Sequence, residues 1–447
     1  MSHRLDAKFL SKALSLGLIS VTFLTTSCTR STKEHHLFGE DLSRASKIYS
    51  TQPTNMKQAI FIVKLKAPAL LSALKEDKLK KIVDQNLATA IREEQEQAIK
   101  DIKAVSPEAL ILYRYKMVLN ALVVAAPTKD LQQLKSLSQV VDIRKTESFE
   151  RPMVLNQHES AKETNLAGKN SVLFIGAQAA IDKNMRGQNI KVGIIDTGVD
   201  YTHAMLGGSG NVDDYSQIKP NEESKFFPNL KVVGGVDFAG SEYDAGSENI
   251  ANRIAKKDNN PMDEGGHGTH VAGTVAGIGD YENSYDGVAP AASLYALKVF
   301  GASGSTSDEV VISALEYAAD PNGDDNIDDR LDVVNLSLGS SYGTPRIFYN
   351  QAIKNLTLGG TVVVASAGNS GDISYIVGAP SVSDEALSVA ASVDGMDHNW
   401  KFKSIAIQLA DKTQIDAEAV ESVLTKPLSE LEEMQGAVVY VGKLTED

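Results

Sequence analysis

The chain has 447 residues, of which 42% are hydrophobic and 23% are charged, so its composition is that of a globular protein with room for about two to four domains. Its formal net charge of -14 argues against a nucleic-acid groove and favours a protein that works in bulk solvent. A single cysteine excludes a disulfide within the chain.

Residues 1–28 have the pattern of an export signal. A positively charged segment precedes the apolar stretch 13–24, which is too short to cross a bilayer as a helix. Cys28 follows in the run Leu-Thr-Thr-Ser-Cys, which resembles a bacterial lipoprotein signal, although a threonine stands three residues before the cysteine. Two alternatives stay open, namely an ordinary cleaved signal and acylation of Cys28, which would attach the protein to a membrane. We expect an exported protein, lipid-anchored to the cell envelope or secreted, with residues 29–56 as a polar tether.

Residues 57–150 predict a separate small α+β domain. Strand-like segments alternate with helix-like segments in the order strand, helix, strand, strand, helix, strand, which is typical of the ferredoxin-like arrangement. The strand-like segments are 59–66, 111–119, 121–126 and 140–145, and the helix-like segments are 74–103 and 130–137. By itself such a domain could be a binding or spacer module, because a fold does not specify a function. The polar residues 151–170 predict a linker open to cleavage.

A larger α/β domain is predicted from residue 171 onwards. Short segments rich in Val, Ile and Leu alternate with helical patterns or glycine-rich loops, which argues for a parallel sheet. The predicted strands are 190–195, 231–238, 293–299, 332–338, 361–365 and 386–391. Ligands of such sheets bind beyond the carboxyl ends of the strands, and Asp196, 337–339 and Asn369 fall there.

Asp196 and His267 have the features of an orienting carboxylate and a general base. Asp196 ends an apolar strand segment, and His267 stands in the run Gly-His-Gly-Thr-His-Val-Ala-Gly at the start of a small-residue helix. A neutral histidine can take the proton of a serine hydroxyl, and a carboxylate at its other ring nitrogen fixes the tautomer and stabilises the cation. The alternatives are a structural role for His267 and a metal pair with His270, for which the sequence offers no convincing third ligand.

Six segments of this domain resemble the subtilisin family of serine peptidases, the subtilases. In the family's order they are IIDTGVD at 194–200, GHGTHVAG at 266–273, GVAPAASLYALKV at 287–299, DVVNLSLG at 332–339, VVVASAGNSG at 362–371 and VGAPSVSDEALSVAAS at 377–392. The resemblance implies a parallel-sheet subtilisin-like peptidase domain at 171–400, with no required cofactor. It assigns Asp196 and His267 to the catalytic triad and Asn369 to the oxyanion hole. It also implies that Ser337, Leu338 and Gly339 bind polypeptide substrates.

The position of the small domain gives it an expected role. It lies between an export signal and a peptidase-like domain, an order that resembles the propeptide of the subtilases. The resemblance implies that residues 57–150 act as an intramolecular inhibitor until they are removed.

The family's nucleophilic serine has no counterpart in this sequence. The resemblance places it in a Gly-Thr-Ser-Met-Ala type motif after the asparagine, and no such run occurs. The serines at 303, 305 and 307 precede the asparagine in the chain, and those at 366 and 370 flank it, so none is a credible substitute. Residues 401–447 resemble the start of a protease-associated domain, which some subtilases insert before the serine. We therefore expect a chain truncated before its nucleophile, with an incomplete peptidase domain.

These observations leave several functions open. The first is the precursor of a secreted serine endopeptidase that hydrolyses peptide bonds by a Ser-His-Asp mechanism. The second is a catalytically inactive fragment or remnant that binds peptides or inhibits through its N-terminal domain. A structural surface lipoprotein is a further alternative.

One acidic segment concentrates oxygen ligands in a short stretch. The candidate ligands are Asp320, Asn322, Asp324, Asn326 and Asp328. Their spacing partly matches a calcium loop, although position six is Asp325 rather than glycine and position twelve is Leu331 rather than glutamate. The alternatives are a calcium site and a solvated acidic loop.

Overall fold

A computed structural model of the chain describes residues 37–43, 45, 48, 58–77, 80–152, 172, 174–279, 286–343, 347–371, 373–392, 404–408 and 414–418. The predicted signal with Cys28, and most of the predicted tether and linker, lie outside the described residues. Within the described ranges, no helix is both long enough and apolar enough to cross a membrane.

The N-terminal unit, defined here as residues 58–145, is built on a four-stranded antiparallel sheet. In chain order its elements are β1 (Gln58–Leu65), a 3₁₀ turn (Leu70–Ala73), β2 (Lys75–Asp77), β3 (Lys80–Ile82), α1 (Gln85–Val105), β4 (Leu110–Tyr115), β5 (Ala121–Pro127), a 3₁₀ turn (Thr128–Asp130), α2 (Leu131–Lys135) and β6 (Val140–Lys145), and the short strand β7 (Ser148–Phe149) follows the unit. The sheet order is β4-β5-β1-β6, and one helix follows β1 and another follows β5. This order is that of the ferredoxin-like arrangement.

The first long helix starts later than its composition predicts. Residues 74–103 were expected to be helical, but β2 and β3 pair as two short antiparallel strands, and α1 begins only at Gln85. The Asp84 side chain caps this start by accepting a hydrogen bond from Asn86 N at 3.0 Å. A local capping residue therefore sets the helix boundary within a segment of strong helix formers.

Part of the predicted tether is packed against the N-terminal unit. Gly39 N donates to Leu112 O at 2.8 Å, and Arg114 N donates to Leu37 O at 2.7 Å, so residues 37–43 run along the edge of β4. Leu37 and Leu42 are buried there. The tether prediction for 29–56 is therefore wrong for these residues, because a few apolar side chains in a polar segment suffice to bury it against a free sheet edge.

The peptidase-like unit is built on a six-stranded parallel sheet. In chain order its elements are α3 (Gln178–Ile181), β8 (Lys191–Asp196), a 3₁₀ turn (Ala204–Leu206), α4 (Val212–Ser216), β9 (Val232–Asp237), α5 (His267–Ala276), β10 (Ser293–Lys298), β11 (Thr306–Ser307), α6 (Asp308–Ala319), β12 (Val333–Leu336), α7 (Ile347–Gly359), β13 (Val362–Ser366) and β14 (Leu387–Val389). The strand order is β14-β13-β12-β8-β10-β9, and every pairing is parallel. The predicted parallel α/β architecture is confirmed. Beyond it, β15 (Ser404–Gln408) pairs antiparallel with β16 (Gln414–Glu418).

Helix α6 lies at the junction of the two units. All of its 12 residues are buried, which requires cover on every side. One hydrophobic cluster contains Tyr113 and Tyr115 of β4 together with Ile312 and Leu315 of α6. The N-terminal unit therefore covers a helix that the parallel sheet by itself would leave partly exposed.

Candidate active site

The carboxyl ends of the central strands form the edge at which the candidate site lies. β8 is flanked by β10 and β12 in parallel register, and its last residue is Asp196. The apolar residues of β8 are buried between the layers, and the Asp196 side chain is fully buried as well. Because the strands are parallel, the segments that follow β12 and β13 lie along this same edge.

His267 is the first residue of α5. The residue before it, Gly266, has a φ of +84°, a conformation that favours glycine. A Cβ on Gly268 would lie 2.1 Å from Gly198 O, so only glycine allows the first turn of this helix to approach the turn after β8. The small residues of the histidine run thus bring the imidazole to the end of β8.

Asp196 and His267 are directly hydrogen-bonded. The distance from His267 Nδ1 to Asp196 Oδ1 is 2.8 Å. The Asp196 side chain is 0% exposed and the His267 side chain is 22% exposed, so the imidazole bridges the interior and the open edge. With Nδ1 donating to the carboxylate, Nε2 is the ring nitrogen that can accept a proton.

The surroundings of the pair favour a basic imidazole. Burial of the ring disfavours its charged form, but the hydrogen bond and the negative charge of Asp196 outweigh burial and raise the pKa of His267. Burial also raises the pKa of Asp196, against the opposing effect of His267. Asp196 Oδ2 has no hydrogen-bond partner within the part of the chain that the structure describes. In that part of the chain, the imidazole of His267 is therefore the only side chain to which the Asp196 carboxylate is hydrogen-bonded.

The other predicted site residues follow neighbouring strands at the same edge. Ser337, Leu338 and Gly339 come directly after β12, and Asn369 comes after β13 with an exposed side chain. Asn335 Nδ2 donates to Ser337 Oγ at 2.9 Å. No hydrogen bond links Asn369 to Asp196 or His267 in the described ranges. The structure thus places these residues on one edge, while their roles stay predictions.

Three of the five serines considered in the sequence have hydroxyl groups that hydrogen-bond to residues other than His267. Ser305 Oγ donates to Asp244 Oδ1 at 3.0 Å, and Ser307 Oγ lies 2.5 Å from Tyr243 Oη. Ser370 Oγ pairs with Ser341 Oγ at 2.7 Å. Among the described residues, no serine hydroxyl is hydrogen-bonded to His267. His270 is exposed, and no described group of three His, Cys, Asp or Glu side chains is arranged to hold a metal.

The chain segment after the N-terminal unit runs alongside the candidate site. β7 pairs antiparallel with β11, and Phe149 is buried with its ring centroid 5.6 Å from that of Tyr349. Arg151 Nη1 donates to Ala302 O, and the charge of Arg151 opposes protonation of His267 and so acts to lower its pKa. The sequence predicted a linker from residue 151, and it gave no sign that its first residues lie beside the imidazole.

The oxygen atoms of the acidic segment are used within the loop. Asp320 accepts hydrogen bonds from Asp324 N and Asp325 N, at 3.1 Å and 2.9 Å, and burial raises the pKa of Asp320 to about 7. Asn322 Oδ1, Asp324 Oδ1 and Asn326 Oδ1 likewise accept backbone N–H groups two residues further on, and Asp328 Oδ2 accepts from Asn326 Nδ2. Calcium would have to compete with these donors for the same oxygens.

Asp263 and Thr197 are two residues near the pair that sequence analysis did not single out. Asp263 is buried and accepts a hydrogen bond from Thr197 Oγ1 at 2.8 Å. Thr197 Oγ1 in turn accepts from Gly268 N at 2.9 Å. An aspartate a few residues before a helix start is a typical capping signal, and this was the feature from which Asp263 could have been identified.

Comparison with known proteins assigns this chain to one protein family. The family model described as "Subtilase family" matches residues 187–433, which is more than half of the chain. The matched range contains Asp196, His267, Asn369 and the six parallel strands.

Three curated relatives show the same similarity. The chain is 30% identical over 382 residues to "Minor extracellular protease Vpr" of Bacillus subtilis, a match that covers 85% of the chain and 41% of that protein. It is 35% identical to "Subtilisin DY" of Bacillus licheniformis over 53% of the chain and 68% of that protein. It is 33% identical to "Major intracellular serine protease" of Bacillus subtilis, over 42% and 46% of the two chains. The first of these matches extends into the N-terminal unit, and the chain spans less than half the length of that relative.

Proposed function

The chain belongs to the subtilase family, and from this we propose that it is the precursor of a subtilisin-like serine endopeptidase whose orienting carboxylate and general base are Asp196 and His267. The single observation that carries the assignment of the base is the 2.8 Å contact between His267 Nδ1 and Asp196 Oδ1. The relatives are named as proteases or as a subtilisin, and these names support peptide-bond hydrolysis as the reaction.

In the proposed mechanism, each part of the candidate site has its own role in peptide hydrolysis. His267 Nε2 takes the proton of a serine hydroxyl as that oxygen attacks the scissile carbonyl, and later gives the proton to the leaving amine. Asp196 holds the Nδ1–H tautomer and stabilises the imidazolium, which agrees with the raised pKa of His267. The Asn369 amide would donate to the oxyanion, and the backbone of 337–339 would pair with an extended polypeptide substrate. No cofactor is needed for these steps, and calcium binding by residues 320–328 stays a separate prediction.

The test of this mechanism separates the base from the nucleophile. The 447 residues contain no Gly-Thr-Ser-Met-Ala run, so the purified chain is expected to remain unlabelled by a fluorophosphonate probe and not to cut itself. A protein expressed from the gene read beyond the codon of Asp447, if it supplies such a run, is expected to be labelled and to hydrolyse casein. In that protein His267→Ala should abolish hydrolysis. Specific labelling of a serine in the chain as given would contradict the assignment.

We further propose that the N-terminal unit is an intramolecular inhibitor. It is held to α6 and α7 by polar contacts as well as by the hydrophobic cluster: Tyr115 Oη donates to Glu309 O at 2.6 Å, and Asn355 Nδ2 donates to Val118 O at 2.8 Å. From this anchored unit, β7 leads the chain along β11 to Arg151 beside the site. A segment in this position would occupy the edge where a polypeptide substrate is expected to bind.

Docking of the N-terminal unit is expected to weaken as the pH rises. Glu309 is 2% exposed at the junction, and burial raises the pKa of its carboxyl to about 7 from an ordinary value of 4.5. In the docked form the Glu309 carboxyl keeps its proton up to about pH 7, whereas in the undocked form it releases the proton above about pH 4.5. The free energy of docking is therefore unchanged below about pH 4.5 and becomes less favourable by up to about 3 kcal/mol as the pH rises to 7 and above. Hydrogen exchange of β4 amides at about pH 5 and about pH 8 measures this loss.

A matched variant isolates the effect of Glu309. Glu309→Gln keeps the shape of the side chain but cannot ionise, so the difference in protection between the two pH values should shrink. Glu93→Gln on the exposed face of α1 is the control and should leave the difference unchanged. An undiminished pH dependence in Glu309→Gln would show that other groups cause it.

We also propose that the protein is exported. The N-terminal signal pattern and the similarity to a relative named as extracellular support this location. Attachment through a lipid on Cys28 is the finer form of the proposal. Fatty-acid incorporation that is lost in Cys28→Ser would support it, whereas equal release of both proteins into the medium would favour secretion.

A further inference from the structure

The carboxyl group of Asp263 is a buried junction of hydrogen bonds beside the catalytic pair. Asp263 is 3% exposed, and both oxygens of its carboxyl group accept hydrogen bonds. Oδ1 accepts from Thr197 Oγ1 at 2.8 Å, Gly265 N at 2.8 Å and Gly266 N at 2.9 Å, and Oδ2 accepts from Thr269 N at 2.9 Å and Thr269 Oγ1 at 2.6 Å. A buried carboxylate with this many donors is held in one orientation.

On one side, these hydrogen bonds fix the first turn of α5. The residue that precedes the helix, Gly266, has no side chain with which to cap it, and Asp263 supplies the missing acceptor for Thr269 N. A negative charge at this end of a helix is also favoured by the helix dipole. The position of His267, the first residue of α5, therefore depends on Asp263.

On the other side, the same carboxyl group fixes the turn after β8. Thr197 is fully buried, and its hydroxyl donates to Asp263 while it accepts from Gly268 N at 2.9 Å. Thr197 N donates to Asp196 Oδ1 at 2.7 Å, the same oxygen that meets His267 Nδ1. One carboxyl group thus contacts both elements that carry the catalytic pair.

Such a junction is needed because nothing local sets the distance within the pair. Asp196 and His267 are 71 residues apart in the chain, and their hydrogen bond requires placement of two separate elements to within about 0.5 Å. Where α5 packs on the turn after β8, the residues in contact are small, as with Gly268 and Gly198. Packing of such small residues does little by itself to fix the orientation of the helix. The polar network of Asp263 and Thr197 supplies directional contacts.

We propose that Asp263 is a positioning residue for the Asp196–His267 pair, acting through Thr197 and Thr269 to hold the end of β8 and the start of α5 in register. The catalytic meaning of this role rests on the proposed function, but the geometric role does not. The negative charge of Asp263 adds to the larger effect of Asp196 in raising the pKa of His267. Loss of the Asp263 charge should therefore lower that pKa as well as loosen the pair.

The proposal is tested on the full chain by NMR of ¹⁵N-labelled histidines. In the unsubstituted protein, the His267 Nδ1–H is expected to give a far-downfield proton resonance because it is held against a buried carboxylate. In Asp263→Asn we expect this resonance to be lost or broadened, the pKa of His267 to fall, and the protection of the Gly268 amide from exchange to drop roughly tenfold, as for one lost hydrogen bond.

Two variants of Thr197 keep the test valid if Asp263→Asn folds poorly. Thr197→Val removes the hydroxyl that joins the two elements and should weaken the resonance, whereas Thr197→Ser retains the hydroxyl and should restore it. Asp213→Asn removes an equal charge from an exposed position and is the control. Melting temperatures of all variants separate a general loss of stability from a change at the pair.

The outcomes distinguish the positioning role from the proposed function. A downfield resonance and a His267 pKa that are unchanged in both Asp263→Asn and Thr197→Val, even with a lowered melting temperature, would show that Asp263 only stabilises the fold. Absence of the resonance in the unsubstituted protein would instead contradict the Asp196–His267 pair itself, and with it the assignment of the base.

Discussion

The Glu316→Ala variant is expected to release the N-terminal unit from α6. Glu316 is 2% exposed, and its carboxyl group accepts three backbone hydrogen bonds from the turn between β4 and β5. Lys116 N and Met117 N donate to Oε1 at 2.5 Å and 2.6 Å, and Val118 N donates to Oε2 at 2.8 Å. Each buried N–H left without an acceptor costs about 1–3 kcal/mol, so the variant should lose the three hydrogen bonds that hold this turn to α6.

Hydrogen exchange gives a direct readout of this release. The amides of residues 116–118 should lose protection in Glu316→Ala, and protease should cut within the turn that α6 otherwise covers. In Glu316→Gln, the protection of these amides should be intermediate between that in the unsubstituted protein and that in Glu316→Ala. Glutamine keeps one acceptor oxygen but turns an amide N–H towards the same backbone donors. Glu93→Ala, which removes an exposed carboxylate from α1, should behave like the unsubstituted protein. Unchanged protection of 116–118 in Glu316→Ala would contradict the anchoring role.

The Lys298→Met variant should strongly destabilise the peptidase-like unit. Lys298 is fully buried at the end of β10, with its Nζ 2.9 Å from Asp237 Oδ2 and 3.2 Å from Glu264 Oε2. Burial opposes the charge on the lysine, but the two carboxylates outweigh it and raise the pKa of Lys298. Methionine fills a similar volume and leaves Asp237 as a buried carboxylate without its cation, which typically costs about 3–5 kcal/mol.

Urea denaturation followed by circular dichroism measures this cost. Lys256→Met removes an exposed lysine that pairs with Glu242, and it should cost less than about 1 kcal/mol. Adding Asp237→Asn to Lys298→Met should recover part of the loss, because the unpaired carboxylate is then removed. A cost for Lys298→Met no larger than that for Lys256→Met would show that the buried network contributes little.

The destabilisation caused by Lys298→Met should also affect the candidate site. In the pairing of β10 with β8, Lys298 stands opposite Asp196. The strand end that carries the catalytic carboxylate is therefore next to the buried network, and a disordered end of β10 would leave β8 without one of its two neighbours. Restored stability in the double variant should be accompanied by restored protection of the β8 amides.

Much of the architecture could be predicted from the sequence because it follows from local patterns. Strands that are apolar on both faces predicted a parallel sheet, and all six predicted strands are present in it. Local patterns failed at 74–77 and 80–84, where a capping aspartate sets the start of the helix, and at 37–43, where contact with a distant strand edge buries a polar segment.

What the sequence by itself determined is the family, the sheet and the identity of the two residues most suited to be base and orienter. Only the tertiary structure decided that His267 meets Asp196, that Asp263 joins the elements carrying them, and that Glu316 anchors the turn at 116–118. Asp196 and His267 are 71 positions apart in the chain, Thr197 and Asp263 are 66 apart, and Lys116 and Glu316 are 200 apart. Periodicity tells which side chains are buried, but the partner of a buried polar group depends on how the elements pack.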